Sequence, residues 1–263
     1  MTITRKFLLA LFVLAALFSV SCAREETKPA ATTPATQPAA PAVDMASAAT
    51  ITGKVLYQDG KPTLARLRMD ADAACSRLHS EPVYSRELVL NDNGTLRWVF
   101  VYVKEGPGNQ PFPPPKQAVV LDQKGCMYEP HVIGLVVGQE LNVTNSDQTT
   151  HNIHPVPTTN REWNKSQPPG ADKIVETFAR EEETIPVKCN IHPWMRSYVH
   201  VLKHPFFATT GADGSFEIKG LPPGDYTIVA WQEKLGKVEQ KVTVGPKESK
   251  SVDFTFSPKA GGD

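Results

Sequence analysis

Residues Cys189-Asn190-Ile191-His192-Pro193-Trp194-Met195 bring a thiolate, an imidazole and a thioether into one short run. Completed by a second imidazole, these donors are the set of a mononuclear blue-copper centre, a His2Cys plane with a weak axial thioether. The chain offers that imidazole upstream, in Thr150-His151-Asn152-Ile153-His154. Zinc could take the thiolate and imidazoles, but Met195 is a poor zinc donor. A dinuclear copper centre would want a second cysteine in the loop, and none is there. The donors therefore favour one mononuclear copper ion.

Ligands that serve one-electron exchange need a rigid frame, and the sequence past the first fifty residues supplies strands. Alternating or β-branched runs at Ile51–Tyr57, Leu64–Met69, Trp98–Val103, Ala118–Leu121, His131–Val137, Glu140–Thr144, Thr184–Cys189 and Tyr198–Leu202 read as strands. Four more follow at Ser215–Ile218, Tyr226–Trp231, Val238–Val244 and Val252–Phe256. Turn pairs such as Asp59-Gly60, Asn93-Gly94 and Lys124-Gly125 separate them. Only Asp70–Leu78 could form a short helix, so the fold class is all-β. Cys189 should close its strand, with Pro193 stiffening the loop to Tyr198. Two long loops interrupt the rhythm: Pro107–Lys116, rich in proline, and Pro155–Lys173, which carries Trp163. The second could lid the site, form a docking surface or be a solvated insertion.

Two spaced elements, Cys-x-x-His-Pro-Trp-Met at 189–195 and His-Asn-Ile-His at 151–154, resemble the copper loops of the cupredoxins. Val137-Gly138-Gln139-Glu140-Leu141-Asn142-Val143-Thr144-Asn145 is similar to that family's turn and strand before the first ligand. The resemblance covers about Tyr128–Leu202, and Pro186-Val187-Lys188 departs from it where a glycine and aromatic residues are usual. It implies a Greek-key β-sandwich with His151, Cys189, His192 and Met195 as ligands, His154 remaining the alternative to His151. Asn152 would donate its backbone amide to the Cys189 sulfur. An exposed His192 edge framed by Pro193 and Trp194 would pass electrons to a redox protein partner, with Trp163 a further docking candidate. Four protein donors leave no open position for a substrate, so the expectation is a carrier, not an enzyme. The rival readings are copper delivery, buffering or sensing, and a cell-surface interaction module. His131 reads as structural, His200 as alternating away from the core, and His204 as a junction residue before Pro205.

A second module follows. Asp213-Gly214-Ser215-Phe216 and Leu221-Pro222-Pro223-Gly224-Asp225-Tyr226 resemble the carboxypeptidase regulatory-like, transthyretin-like β-sandwich. Phe216, Ile218, Tyr226 and Ile228 would form its buried alternating face. The strand and turn that usually open such a module stand far upstream, at Gly53-Lys54-Val55 and Gly60-Lys61-Pro62. Residues 50–69 and 206–258 would then form one discontinuous sandwich, with a copper domain at 70–205 inserted between its second and third strands. The simpler arrangement leaves Thr50–Met69 in the copper domain. No zinc-peptidase motif accompanies the module, which reads as a binding or spacer unit.

The start of the chain gives an address. Arg5 and Lys6 precede an apolar run at Phe7–Phe18, too short to span a bilayer, and Ser19-Val20-Ser21-Cys22 ends a lipoprotein-type signal at residue 22. Cys22 would carry the lipid, although ordinary cleavage after Ala23 is the other reading. Residues 23–49 form an Ala/Thr/Pro-rich tether without apolar periodicity. Together these place the protein outside the cytoplasm, in the periplasm or at the cell surface, touching membrane only through its lipid. Cys75 and Cys126 remain as a candidate disulfide in such an oxidising compartment, the alternative being two buried thiols. Lysine plus arginine (28) equals aspartate plus glutamate (28), which gives no footprint for nucleic acid.

Overall fold

The computed structural model describes residues 46–258 except Pro107 and Asn109; the signal, Cys22 and nearly all of the tether lie outside the described residues. No described helix is long and apolar enough to cross a membrane. The described residues form strands joined by turns and loops, with only two short helical segments, and pack into two β-sandwiches.

The first sandwich carries the proposed ligands. A five-stranded sheet runs in the order Lys165–Gln167, His151–Pro155, Glu182–Lys188, Arg196–Leu202, Val132–Val136. A four-stranded sheet of Ile174–Glu176, Leu141–Asn145, Val119–Lys124 and Met127–Glu129 faces it. Arg196–Leu202 pairs in parallel with Val132–Val136, and Val119–Lys124 in parallel with Leu141–Asn145, as long crossovers of a Greek key require. Between the sheets, Leu121, Tyr128, Leu135, Leu141, Val143, Ile153, Ile185 and Val199 form a core closed to solvent. Along Leu141–Asn145 the buried apolar residues Leu141 and Val143 alternate with more exposed ones, which fixes register, since a slip by one residue would turn the set outward.

In the second sandwich, Phe207–Thr209, Phe100–Glu105, Gly224–Gln232 and Gly236–Val244 make one sheet. Its opposite layer is built on Ala49–Tyr57, which pairs with Ser215–Leu221, Ser249–Ser251 and Phe254–Phe256. Ile51, Val55, Val101, Val103, Phe216, Ile218, Ile228 and Phe254 fill the space between. The sandwich is therefore discontinuous in sequence, but its boundaries differ from 50–69 and 206–258. Phe100–Glu105, expected in the copper domain of 70–205, is a central strand here, between Phe207–Thr209 and Gly224–Gln232. Leu64–Met69 is not a strand: among the described residues it pairs through a single bridge from Arg66 to Tyr84. Met69 instead enters the core of the first sandwich, together with Cys75. Alternation alone could not show that this run lacks a partner strand.

Phe100–Glu105 also explains how the two sandwiches join. Val101 and Val103 face the second core, whereas Phe100 and Tyr102 face outward into a shared cluster with Val132, Leu202, Val229 and Trp231. His200 points away from its own sandwich's core, as expected, and is nevertheless 1 % exposed because it lies in this joint. It stacks on Phe100 with centroids 4.0 Å apart and meets Trp231 edge-on at 4.6 Å. The solvent face of one sandwich's strand is the interior of the pair, which single-strand periodicity does not reveal. His131 helps hold the same joint, with Nε2 2.5 Å from Glu233 Oε1 and Nδ1 3.1 Å from the Arg196 carbonyl.

Candidate metal centre

The loop after Glu182–Lys188 returns directly into Arg196–Leu202, and two backbone bonds close it. The Met195 N–H donates to the His192 carbonyl at 2.9 Å, and the Cys189 N–H donates to the Met195 carbonyl at 3.2 Å. Cys189, His192 and Met195 are thereby turned into the core, at 3 %, 1 % and 0 % exposure. His151 enters from the first residue of the neighbouring strand and is also buried. Donor atoms of His151, Cys189 and His192 lie within 4.8 Å of one another. The two Nδ1 atoms are 2.9 Å apart, and Cys189 Sγ is 3.8 Å from that of His192.

Each imidazole is oriented by a carboxylate on its far nitrogen. His151 Nε2 is 2.9 Å from Asp147 Oδ2, and His192 Nε2 is 3.0 Å from Asp72 Oδ2. Asp147 is itself held, accepting the backbone N–H of Gly125 and of Cys126 at 2.7 Å each. Asp72 caps the short helix Ala73–Arg77 by accepting from the N–H of Ala74 and Cys75. With Nε2 of both rings engaged, the converging donors are the two Nδ1 atoms and the sulfur. This is the donor set and outer support that a copper site demands, so the residues fit the metal.

The electrostatics agree. Burial pushes the His151 imidazole down, but Asp147 and the Cys189 sulfur outweigh it and raise its pKa to about 9. Burial pushes the Cys189 thiol up, yet the His151 imidazole and the backbone N–H groups of Asn152, His192 and Ile191 bring it down to about 7. Without metal, a proton on one Nδ1 satisfies both facing imidazoles; a cation among the three donors answers the same need. Asn152 also acts through its side chain: Oδ1 accepts from the Asn190 N–H at 2.7 Å and lies 3.2 Å from Cys189 Sγ.

His154 does not join the cluster. It stands three residues after His151 in one strand and so points to the other face. There Nε2 meets Glu162 Oε1 at 2.6 Å and Nδ1 meets Asn190 Oδ1 at 3.1 Å. The expectation of an exposed His192 edge is also corrected. That edge is covered by Asp72 and by Cys75, whose sulfur is 3.6 Å from Nε2. Cys75 and Cys126 are joined by a disulfide with Cα atoms 5.6 Å apart, which ties this cover to the sandwich. Trp194 is half-buried; its Nε1–H donates to the Cys126 carbonyl at 3.1 Å, and its ring lies 5.2 Å from that of His192. Trp163 packs half-buried against the core, leaving Pro193 as the exposed member of the three. Sequence reasoning passed over Asp72 and Asp147. Only the four-residue interval from Asp147 to His151, and the position of Asp72 before a short helical run, could have pointed to them.

Fold and site together define an all-β protein of two β-sandwiches, the first of which gathers a buried thiol and two imidazoles. Residues 198–257 match the family described as carboxypeptidase regulatory-like domain. A purple cupredoxin from Nitrosopumilus maritimus is 22% identical, the match covering 32% of this chain and 99% of that one at a TM-score of 0.28. An oxidised amicyanin variant is 28% identical over 32% of this chain and 81% of its own, also at 0.28. A copper-containing nitrite reductase from Thermus scotoductus is 16% identical over 39% of this chain and 25% of its own, at 0.31. No curated protein matches the chain.

Proposed function

We propose that the protein is an exported type 1 blue-copper protein that carries single electrons at the cell envelope. The observation that carries this reading is the convergence of a buried thiol with two imidazoles, each turned by its own carboxylate. His151, Cys189 and His192 would hold copper, and Met195 would supply the axial thioether. The metal, when bound, supplies a one-electron couple. The chain's own part is to keep the donors still. Asp147 and Asp72 fix the ring planes, the two backbone bonds of the 189–195 loop fix the sulfur, and the Cys75–Cys126 bridge anchors the segment that covers His192. A site whose donors are already placed reorganises little between oxidation states. Four protein donors leave no position for a substrate, which favours a carrier over an enzyme. The signal-like start and the disulfide favour export.

The deciding experiment is to load the mature protein with one equivalent of Cu(II) and record visible and electron-spin-resonance spectra. An intense thiolate band with narrow copper hyperfine splitting, lost in Cys189→Ser, is expected. A colourless complex with ordinary tetragonal splitting, or a band that survives the substitution, would sink the proposal.

A further inference from the structure

With the His192 edge covered, electrons need another port, and the structure offers one on the adjoining sheet face. Lys188 is paired in register with Arg196 on one side and His154 on the other, so three basic side chains form a row across three strands. Residues directly opposed in an antiparallel pair project from the same face, and like charges so opposed are destabilising. Lys188 and Arg196 are nevertheless both exposed, and neither forms an ion pair among the described residues. His154 itself is engaged by Glu162. Between and beside the two cations runs a groove of about 510 Å³ that reaches Cys189 and is also lined by Asn190, Pro193 and Tyr198. The same loop shows apolar surface to solvent: Ile191 is 50 % exposed and Pro193 is exposed, while Trp194 is half-covered and Met195 is turned inward. An apolar spot rimmed by unpaired charge is the usual anatomy of a transient interface.

We propose that the redox partner docks on this face, covering Ile191 and Pro193 and setting carboxylates against Lys188 and Arg196, and that electrons pass through the covalent link from Cys189 to Asn190. The partner is thus a redox protein with an acidic docking surface. The inference rests on the copper reading above. It moves the port from the His192 edge, which Asp72 and the disulfide cover, to the cysteine side of the loop, one residue from the sulfur.

The test uses the double variant Lys188→Glu/Arg196→Glu, with Lys241→Glu/Lys247→Glu on the far sandwich as a charge-matched control. In one arm the reduced, copper-loaded protein gives one electron to hexacyanoferrate(III), forming hexacyanoferrate(II), or to the cationic tris(phenanthroline)cobalt(III). The double variant should slow the anionic oxidant about tenfold or more and speed the cationic one, with the visible band unchanged and the control near wild type. In a second arm, hexacyanochromate(III) is added to the metal-free protein, and paramagnetic broadening is read on backbone amides. Broadening should centre on Asn190, Ile191 and Ser197 and vanish in the double variant. Unchanged rates with an intact band, or broadening centred elsewhere, overturn the port and leave the copper site standing. Absence of the thiolate band in the unsubstituted protein overturns the copper reading, and the electron port with it.

Discussion

Replacing His200 with phenylalanine should make the protein resist acid. Burial pushes the His200 imidazole down to about 3; the Glu183 backbone raises it and Lys237 lowers it, without offsetting the burial. Neither ring nitrogen has a hydrogen-bond partner among the described residues. In the unfolded chain the same group titrates near 6.5. The folded pKa is the lower one, so the unfolded state binds the proton first as pH falls. The contribution of His200 is therefore intact above about pH 6.5 and is lost progressively toward pH 3. At pH 4 the gap is roughly 2.5 units, a loss of about 3 kcal/mol relative to pH 7. Phenylalanine keeps an aromatic ring between Phe100 and Trp231 but cannot take the proton. Urea unfolding of the two metal-free proteins at pH 7 and pH 4 measures the difference directly. The advantage of His200→Phe should grow by about 3 kcal/mol on acidification. Parallel pH profiles would show that the ring is hydrated or paired in solution, and the account of the joint would fall with it.

Other outcomes follow from the same geometry. Reducing the Cys75–Cys126 bridge opens a loop spanning 51 positions and should lower stability by about 4 kcal/mol in the chain-entropy picture, read as a shift in the denaturation midpoint. Asp147→Asn should weaken copper affinity about 10- to 100-fold, because His151 loses the carboxylate that turns its Nδ1 inward; competition against a chelator reports it. Apparent copper affinity should fall about tenfold per pH unit below pH 9 as His151 takes its proton, and more steeply below about pH 7, where Cys189 is protonated as well. A flat profile in the same chelator assay would contradict the protonation states assigned to the metal-free site. Gly134→Ala would place a Cβ 2.5 Å from the Phe207 ring and 2.6 Å from Phe100, so the joint should lose about 1–3 kcal/mol, seen in thermal unfolding.

The convergence of the candidate donors was largely legible from residue types, because three of them are closely spaced in sequence. Cys189, His192 and Met195 share a seven-residue loop, and no fold could carry them far apart. His151 was harder. Its distance from Cys189 in sequence says nothing about space, and its preference over His154 came from resemblance until strand alternation separated the two. The β character of the chain was equally legible from period-two alternation, since that pattern reports one buried face. Alternation does not report which neighbour covers the other face. That is why Phe100–Glu105 was placed in the wrong sandwich, and why the turning of His200 away from its own sandwich's core did not show that the second sandwich covers it.

The sequence by itself determined the candidate donor types, the all-β class and the presence of two modules, because each is written within a dozen consecutive residues and follows from local chemistry or periodicity. Tertiary structure alone decided the rest. Asp72 reaches His192 from 120 positions away, the disulfide seals that edge, and Lys188 meets Arg196 only because two strands return in register. Such contacts depend on long-range chain closure, whose outcome is set by the packing of whole sheets and leaves no local mark in the sequence.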